Sequence, residues 1–208
     1  MYATISPMTG IAPARLLAIV AIVAVIALLA VGLIQLTGSS SPSSESDTRL
    51  TLAQVQARLT GSPVPLATLH VQAGQILSGG ASALHARLAA LHSYPLVINK
   101  WASWCVPCQT ERIAFQHVST SLGRTVAFIG IDSGEESLAN GRAFLRALPV
   151  GYPSYYDRSG RLGAAIADSS FTPVTVFYDR AGHQYIHQGP YPSAARLERD
   201  VRRYALHS

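Results

Sequence analysis

Asn99-Lys100-Trp101-Ala102-Ser103-Trp104-Cys105-Val106-Pro107-Cys108 holds both cysteines of the chain, separated by two residues. A Cys-x-x-Cys pair can close a small disulfide, and at a helix start one of its thiols is shifted toward the thiolate, the attacking form of sulfur. Such a pair exchanges electrons with another disulfide through a mixed-disulfide intermediate. The neighbouring sequence supplies the helix start. Pro95 to Asn99 is a short apolar run that reads as a buried strand, and Pro107 suits the first turn of a helix reaching to about Leu122. The pair therefore sits at the carboxyl end of a strand, where open α/β sheets keep their sites. Zinc fits poorly: a closed site takes about four ligands. There is no second cysteine pair, and the next histidine, His117, lies nine residues past Cys108.

Working outward, Leu52, Val55 and Leu59 recur at helical spacing before Gly61-Ser62-Pro63. Pro65 to Leu77 reads as a strand or hairpin, and Ala81 to His92 as a helix. Beyond the cysteines, Thr125 to Ile131 is a strand and Glu135 to Leu148 a helix with acidic residues in its first turn. Arg158 to Ala167 is a short helix. Val174–Tyr178 and His183–Gln188 form a hairpin about the turn Asp179-Arg180-Ala181-Gly182. Ser193 caps a last helix to about Leu206. This order predicts an α/β fold with a mixed sheet and helices on both faces.

The chain has 208 residues and a formal net charge of +5. Leu16 to Leu36 is an uncharged run of 21 residues with one polar member, Gln35. At 1.5 Å per residue it spans roughly 31 Å, matching a hydrocarbon core of about 30 Å. We read it as an uncleaved transmembrane helix, because the apolar part of a signal peptide is shorter, about 7–15 residues. Arg15 before the run and Glu45 and Asp47 after it place the N-terminus inside and the rest outside the cell membrane. The absence of spare thiols suits that oxidising side. The expected organisation is a short cytoplasmic N-terminus (1–15), a transmembrane helix (16–36), a Ser-rich linker (37–48), an N-terminal extension (49–93) and the main domain (94–208). No basic run interleaves with aromatics, so nothing points to nucleic acid. Arg196, Arg199, Arg202 and Arg203 read as a solvated helix face.

The string from Asn99 to Cys108, with Glu111 three residues on, resembles the thioredoxin superfamily, and more narrowly its TlpA/ResA-like membrane-anchored thiol–disulfide oxidoreductases. Thr172-Pro173, with the proline 65 residues beyond Cys108 and just before a strand, is similar to the cis-proline turn of that fold. The resemblance covers roughly Pro95 to Pro190. It implies a thioredoxin-like fold with Cys105 as nucleophile, its sulfur exposed, and Cys108 as resolving thiol, the two closing a redox-active disulfide. Glu111 would manage protons and Pro173 would shape the substrate loop. Trp104, Trp101 and Thr172 would flank the substrate. No cofactor or metal is implied.

The resemblance further implies disulfide-bearing exported proteins as substrates, apocytochrome c among them, and an integral-membrane thiol carrier as electron donor. Val106 between the cysteines cannot stabilise a thiolate as a histidine would, which favours a reducing role. Two departures from the pattern stand out: Ile113 where relatives often carry a kinking proline, and Lys100 in place of an aromatic. Two other readings remain. Copper(I) favours thiolates, but no methionine or histidine is placed beside the pair. A thiol peroxidase needs a threonine and an arginine at fixed offsets from its cysteine, a pattern the chain lacks.

Overall fold

The computed structural model describes residues 49–208. The segments expected to form the N-terminus, membrane helix and linker (1–48) lie outside the described residues. No helix among the described residues is long and apolar enough to cross a membrane. In chain order the elements are α1 (Leu52–Arg58), α2 (Val64–Val71), β1 (Ile76–Leu77), α3 (Gly80–Ala90), β2 (Leu96–Trp101) and α4 (Val106–Leu122). There follow β3 (Ala127–Ser133), α5 (Leu138–Ala147), β4 (Ser154–Asp157), α6 (Arg161–Ala167), β5 (Val174–Tyr178), β6 (Gln184–Gln188) and α7 (Ala194–Val201). A wider π-type turn, Arg202–Leu206, continues α7.

The strands form one mixed sheet in the order β1-β4-β3-β2-β5-β6. β2 runs parallel to β3 and antiparallel to β5. Every residue of β2 is buried, because both of its faces are covered. The two-residue period sends Val97 and Trp101 to one face, where Phe115 and Val118 of α4, Phe144 of α5 and Leu197 of α7 join them. Leu96 and Ile98 point to the other face, against Leu66 and Leu69 of α2, Leu84 of α3 and Ala167 of α6. Each such large apolar side chain contributes about 1.5–3 kcal/mol on burial. Local signals agree at several ends. Thr51 and Gln54 make a reciprocal capping box on α1, and the Ser193 hydroxyl accepts the Arg196 N–H at the start of α7.

Some elements differ from the sequence expectation. Residues 64–71 are helical, because Pro65 sits in a first turn and Leu66, Leu69 and His70 share one buried face. Only Ile76–Leu77 of that stretch reaches the sheet, pairing with β4. β4 was not anticipated; its four residues are too few to show a periodicity, and it is held between β1 and β3. α5 begins at Leu138, so the acidic residues expected in its first turn precede it. Ile113 leaves α4 continuous over its 17 residues.

Candidate active site

β2 ends at Trp101, and a tight turn delivers Cys105 to the N-cap of α4. The Cys105 N–H donates to the Ala102 carbonyl at 3.2 Å. The Cys105 sulfur accepts the Cys108 N–H, also at 3.2 Å. The two sulfurs are bonded, at 2.04 Å, across a Cα–Cα distance of 5.3 Å. Free N–H groups at a helix start, with the partial positive charge of the helix end, are what a thiolate at Cys105 needs. One expectation fails in this disulfide form. Cys105 is only 3% exposed and Cys108 is fully buried, because both belong to the main apolar cluster that includes Trp101 and Ala102.

The turn is held from the side by the loop after β3. Glu135, itself buried, accepts the Ser103 N–H at 2.9 Å, and the Trp104 indole N–H donates to the Gly134 carbonyl at 3.0 Å. Trp104 is otherwise open to solvent, 58% exposed. Trp101, expected at the substrate surface, is buried instead. It stacks on Phe144 at 4.7 Å and donates to the Ser154 hydroxyl at 3.1 Å, so it presents no face to a partner.

Glu111 lies one turn beyond Cys108 and is 1% exposed. One carboxyl oxygen accepts the Asn99 side-chain N–H at 2.9 Å, and the other accepts the Tyr191 backbone N–H at 3.2 Å. Burial pushes the Glu111 carboxyl up to about 7, against the opposing pull of those two bonds. Cys108, Glu111 and Asn99 line one small cavity, closed by Trp101, Arg112 and Phe144. The Arg112 guanidinium lies 3.9 Å over the Phe144 ring.

The Thr172–Pro173 peptide bond is cis, as expected. Val174 pairs with Lys100 in the β2–β5 ladder, so Pro173 lies at the sheet end where the cysteine turn begins. The Thr172 backbone N–H and C=O make no hydrogen bond among the described residues.

Two buried charged residues stand here: Asp132, which the sequence reading passed over, and Lys100, which it noted only as replacing an aromatic. Asp132, opposite Trp101 in the β2–β3 ladder, is fully buried, and neither of its oxygens has a hydrogen-bond partner among the described residues. Burial first, then the nearby Glu135 and Asp157, raise its carboxyl to about 8. Lys100 is buried on the opposite face of β2. Position within a strand was the one available signal, since alternation assigns both to interior faces.

A sulfur pair at a helix start, a buried carboxyl behind it and an unpaired backbone edge beside it define a protein that exchanges disulfides. No family model matches the chain. It is 27% identical to the thiol:disulfide interchange protein DsbE of Tatumella citrea over 137 residues, 65% of this chain and 68% of that protein. It is 30% identical to the thioredoxin-like protein YneN of Bacillus subtilis (strain 168) over 97 residues, 45% of this chain and 56% of that one. Among solved structures, a DsbF homologue from Corynebacterium diphtheriae superposes with a TM-score of 0.49 at 24% identity, covering 56% of this chain and 75% of that one. StoA from Bacillus subtilis gives 0.44 at 20% identity, covering 51% and 81%. The chain is thus similar to thiol:disulfide interchange and thioredoxin-like proteins, and its Cys105–Cys108 disulfide is the Cys-x-x-Cys pair of a thiol–disulfide oxidoreductase.

Proposed function

We propose that this protein is a membrane-tethered, extracytoplasmic reductase of disulfides in exported proteins, apocytochrome c among them. Residues 16–36 anchor it, 37–48 form the tether, and 94–208 carry the chemistry with 49–93 as an extension. The observation that carries the reading is the placement of Cys108 and the Glu111 carboxyl on one buried cavity behind a disulfide at a helix N-terminus.

The reduced pair acts in two steps. The Cys105 thiolate attacks one sulfur of the partner's disulfide; the partner's S–S bond breaks, and its leaving thiolate takes up a proton. The Cys108 thiol then passes its proton to Glu111, and the Cys108 thiolate attacks the Cys105 sulfur. The mixed disulfide breaks, the partner leaves as a dithiol, and the intramolecular disulfide closes. A carboxyl held near 7 exchanges that proton readily at neutral pH. The open Thr172 backbone edge beside Pro173 pairs with an extended partner segment, and Trp104 covers its flank. Two electrons per cycle come from a membrane thiol carrier, which re-reduces the pair. Val106 puts no ionisable group beside the thiolate, in keeping with a reducing role.

The test is a trap. Cys108→Ala, in membranes, should accumulate a mixed disulfide on Cys105 with exported disulfide-bearing proteins, and Cys105→Ala should accumulate none. Equal adducts on both variants, or none on either together with no insulin reduction by the wild type, would overturn the reading.

A further inference from the structure

Lys100 is a cationic residue in the middle of a sheet, 6% exposed. Burying an ammonium is unfavourable unless the charge is paired and hydrogen-bonded. Its Nζ donates to the Ser169 carbonyl at 2.7 Å, and Asp157 supports the charge from nearby. Asp157 is itself fixed, accepting the Ser133 hydroxyl at 3.0 Å and the Gly163 N–H at 2.9 Å. The fit at Gly163 is close. A Cβ there would meet the Lys100 side chain at 2.8 Å, so the lysine stem has a cut channel to the loop.

Ser169 opens the loop that ends in Pro173, and its hydroxyl accepts the Phe171 N–H at 3.1 Å. Phe171 stands 66% exposed. Trp104, on the cysteine turn, is 58% exposed and Val106, the first residue of α4, is 68% exposed, so Phe171 is one of three exposed apolar side chains at this end of the sheet among the described residues. A Lys100–Ser169–Phe171 relay therefore runs from the interior of β2 to an exposed aromatic two residues before Pro173.

We propose that Lys100 is a positioning residue for partner docking: through Ser169 it fixes the loop that presents Phe171, and Phe171 contacts an apolar side chain next to the partner's reacting cysteine. The inference rests on the disulfide-exchange reading and adds to it a specificity for apolar-flanked cysteines. Lys100 touches neither sulfur and takes no part in the electron transfer.

The experiment compares two substrates of the reduced protein: a peptide disulfide with leucine or phenylalanine beside its cysteine, and hydroxyethyl disulfide, which is too small to reach the loop. Lys100→Met and the gentler Ser169→Ala should each slow the peptide reaction roughly five- to tenfold, the scale of one hydrogen bond. The loss should fall on KM. Both should leave the hydroxyethyl disulfide rate and the pH profile of Cys105 alkylation unchanged. Phe171→Ala, a surface change, should slow the peptide to a similar degree. The Lys100→Met/Phe171→Ala double variant should be no slower than the slower single variant, because the two act in series. Unchanged peptide rates overturn the proposal, as do equal losses with both substrates or losses that multiply in the double variant. A wild type that opens neither disulfide overturns the exchange reading beneath it, a different failure.

Discussion

Asn99 and Glu111 meet through a 2.9 Å hydrogen bond between strand β2 and helix α4. The donor is a neutral amide, so it supports the glutamate without contributing a charge. Burial outweighs it, and the carboxyl rests near 7 rather than in the usual carboxylate range.

Glu111→Gln should therefore act on both rate and stability. The exchange rate should drop by about 10²-fold at neutral pH and lose its inflection near 7. A rate profile still bending at that pH would remove the proton role. For stability, the folded carboxyl titrates above its unfolded value. Its favourable contribution is complete below about pH 4.3 and is lost as pH rises through 7, on the order of 3 kcal/mol. Urea midpoints of the oxidised wild type should fall across that window, and those of the glutamine variant should fall less.

Asp132 behaves in the same sense but further up the scale. Its carboxyl is raised to about 8, so the wild type loses stability between about pH 4 and pH 8. Asp132→Asn carries no charge to desolvate. It should melt at least about 5 °C above the wild type at pH 8.5 and show little or no gain at pH 5. A gain of equal size at both values would contradict the assignment.

Gln116 ties three segments together from the middle of α4. Its side chain accepts the Leu50 N–H at 2.7 Å and donates to the carbonyls of Leu50 and Pro149 at 2.8 and 2.7 Å. Gln116→Ala leaves backbone groups unpaired and opens space in the interior. It should destabilise the fold by about 2–4 kcal/mol in urea unfolding and speed proteolysis before Thr51. A loss of unfolding free energy below about 1 kcal/mol would show that water replaces the amide.

Asp179 accepts His183 and His207 on one oxygen, each at 2.8 Å, tying the β5–β6 turn to the residue that follows the π-type turn after α7. His207 foremost, then His183, holds its carboxyl well below the usual range. A depressed carboxyl contributes stability above the unfolded value, about 3.9, and loses it as pH falls. Asp179→Asn should melt below the wild type at pH 7, with the gap narrowing under pH 4. A gap constant with pH would assign the loss to shape rather than charge.

The cysteine pair, the helix that follows it, the β5–β6 hairpin and the Ser193 cap were all legible in the sequence, because each depends on residues a few positions apart. The strand-like reading of Pro65 to Leu77 failed for a related reason: a helical face of Leu66, Leu69 and His70 emerges only once the sheet is there to cover it. Glu135 looked like a first-turn helix charge, yet it is buried and grips Ser103, 32 residues away.

By itself the sequence determined the chemistry: two sulfurs at a fixed spacing on a strand–turn–helix, a carboxyl one turn on, and a proline ahead of a later strand. Tertiary structure decided how that chemistry is tuned. It buried Glu111 and Asp132, turned Trp101 inward and left Trp104 out, drew the closed disulfide into the core, and led Lys100 to Ser169 across 69 residues. A covalent spacing is written in the chain. A proton affinity depends on how much water and which charges surround a group, and those are set by elements that meet only when the sheet closes.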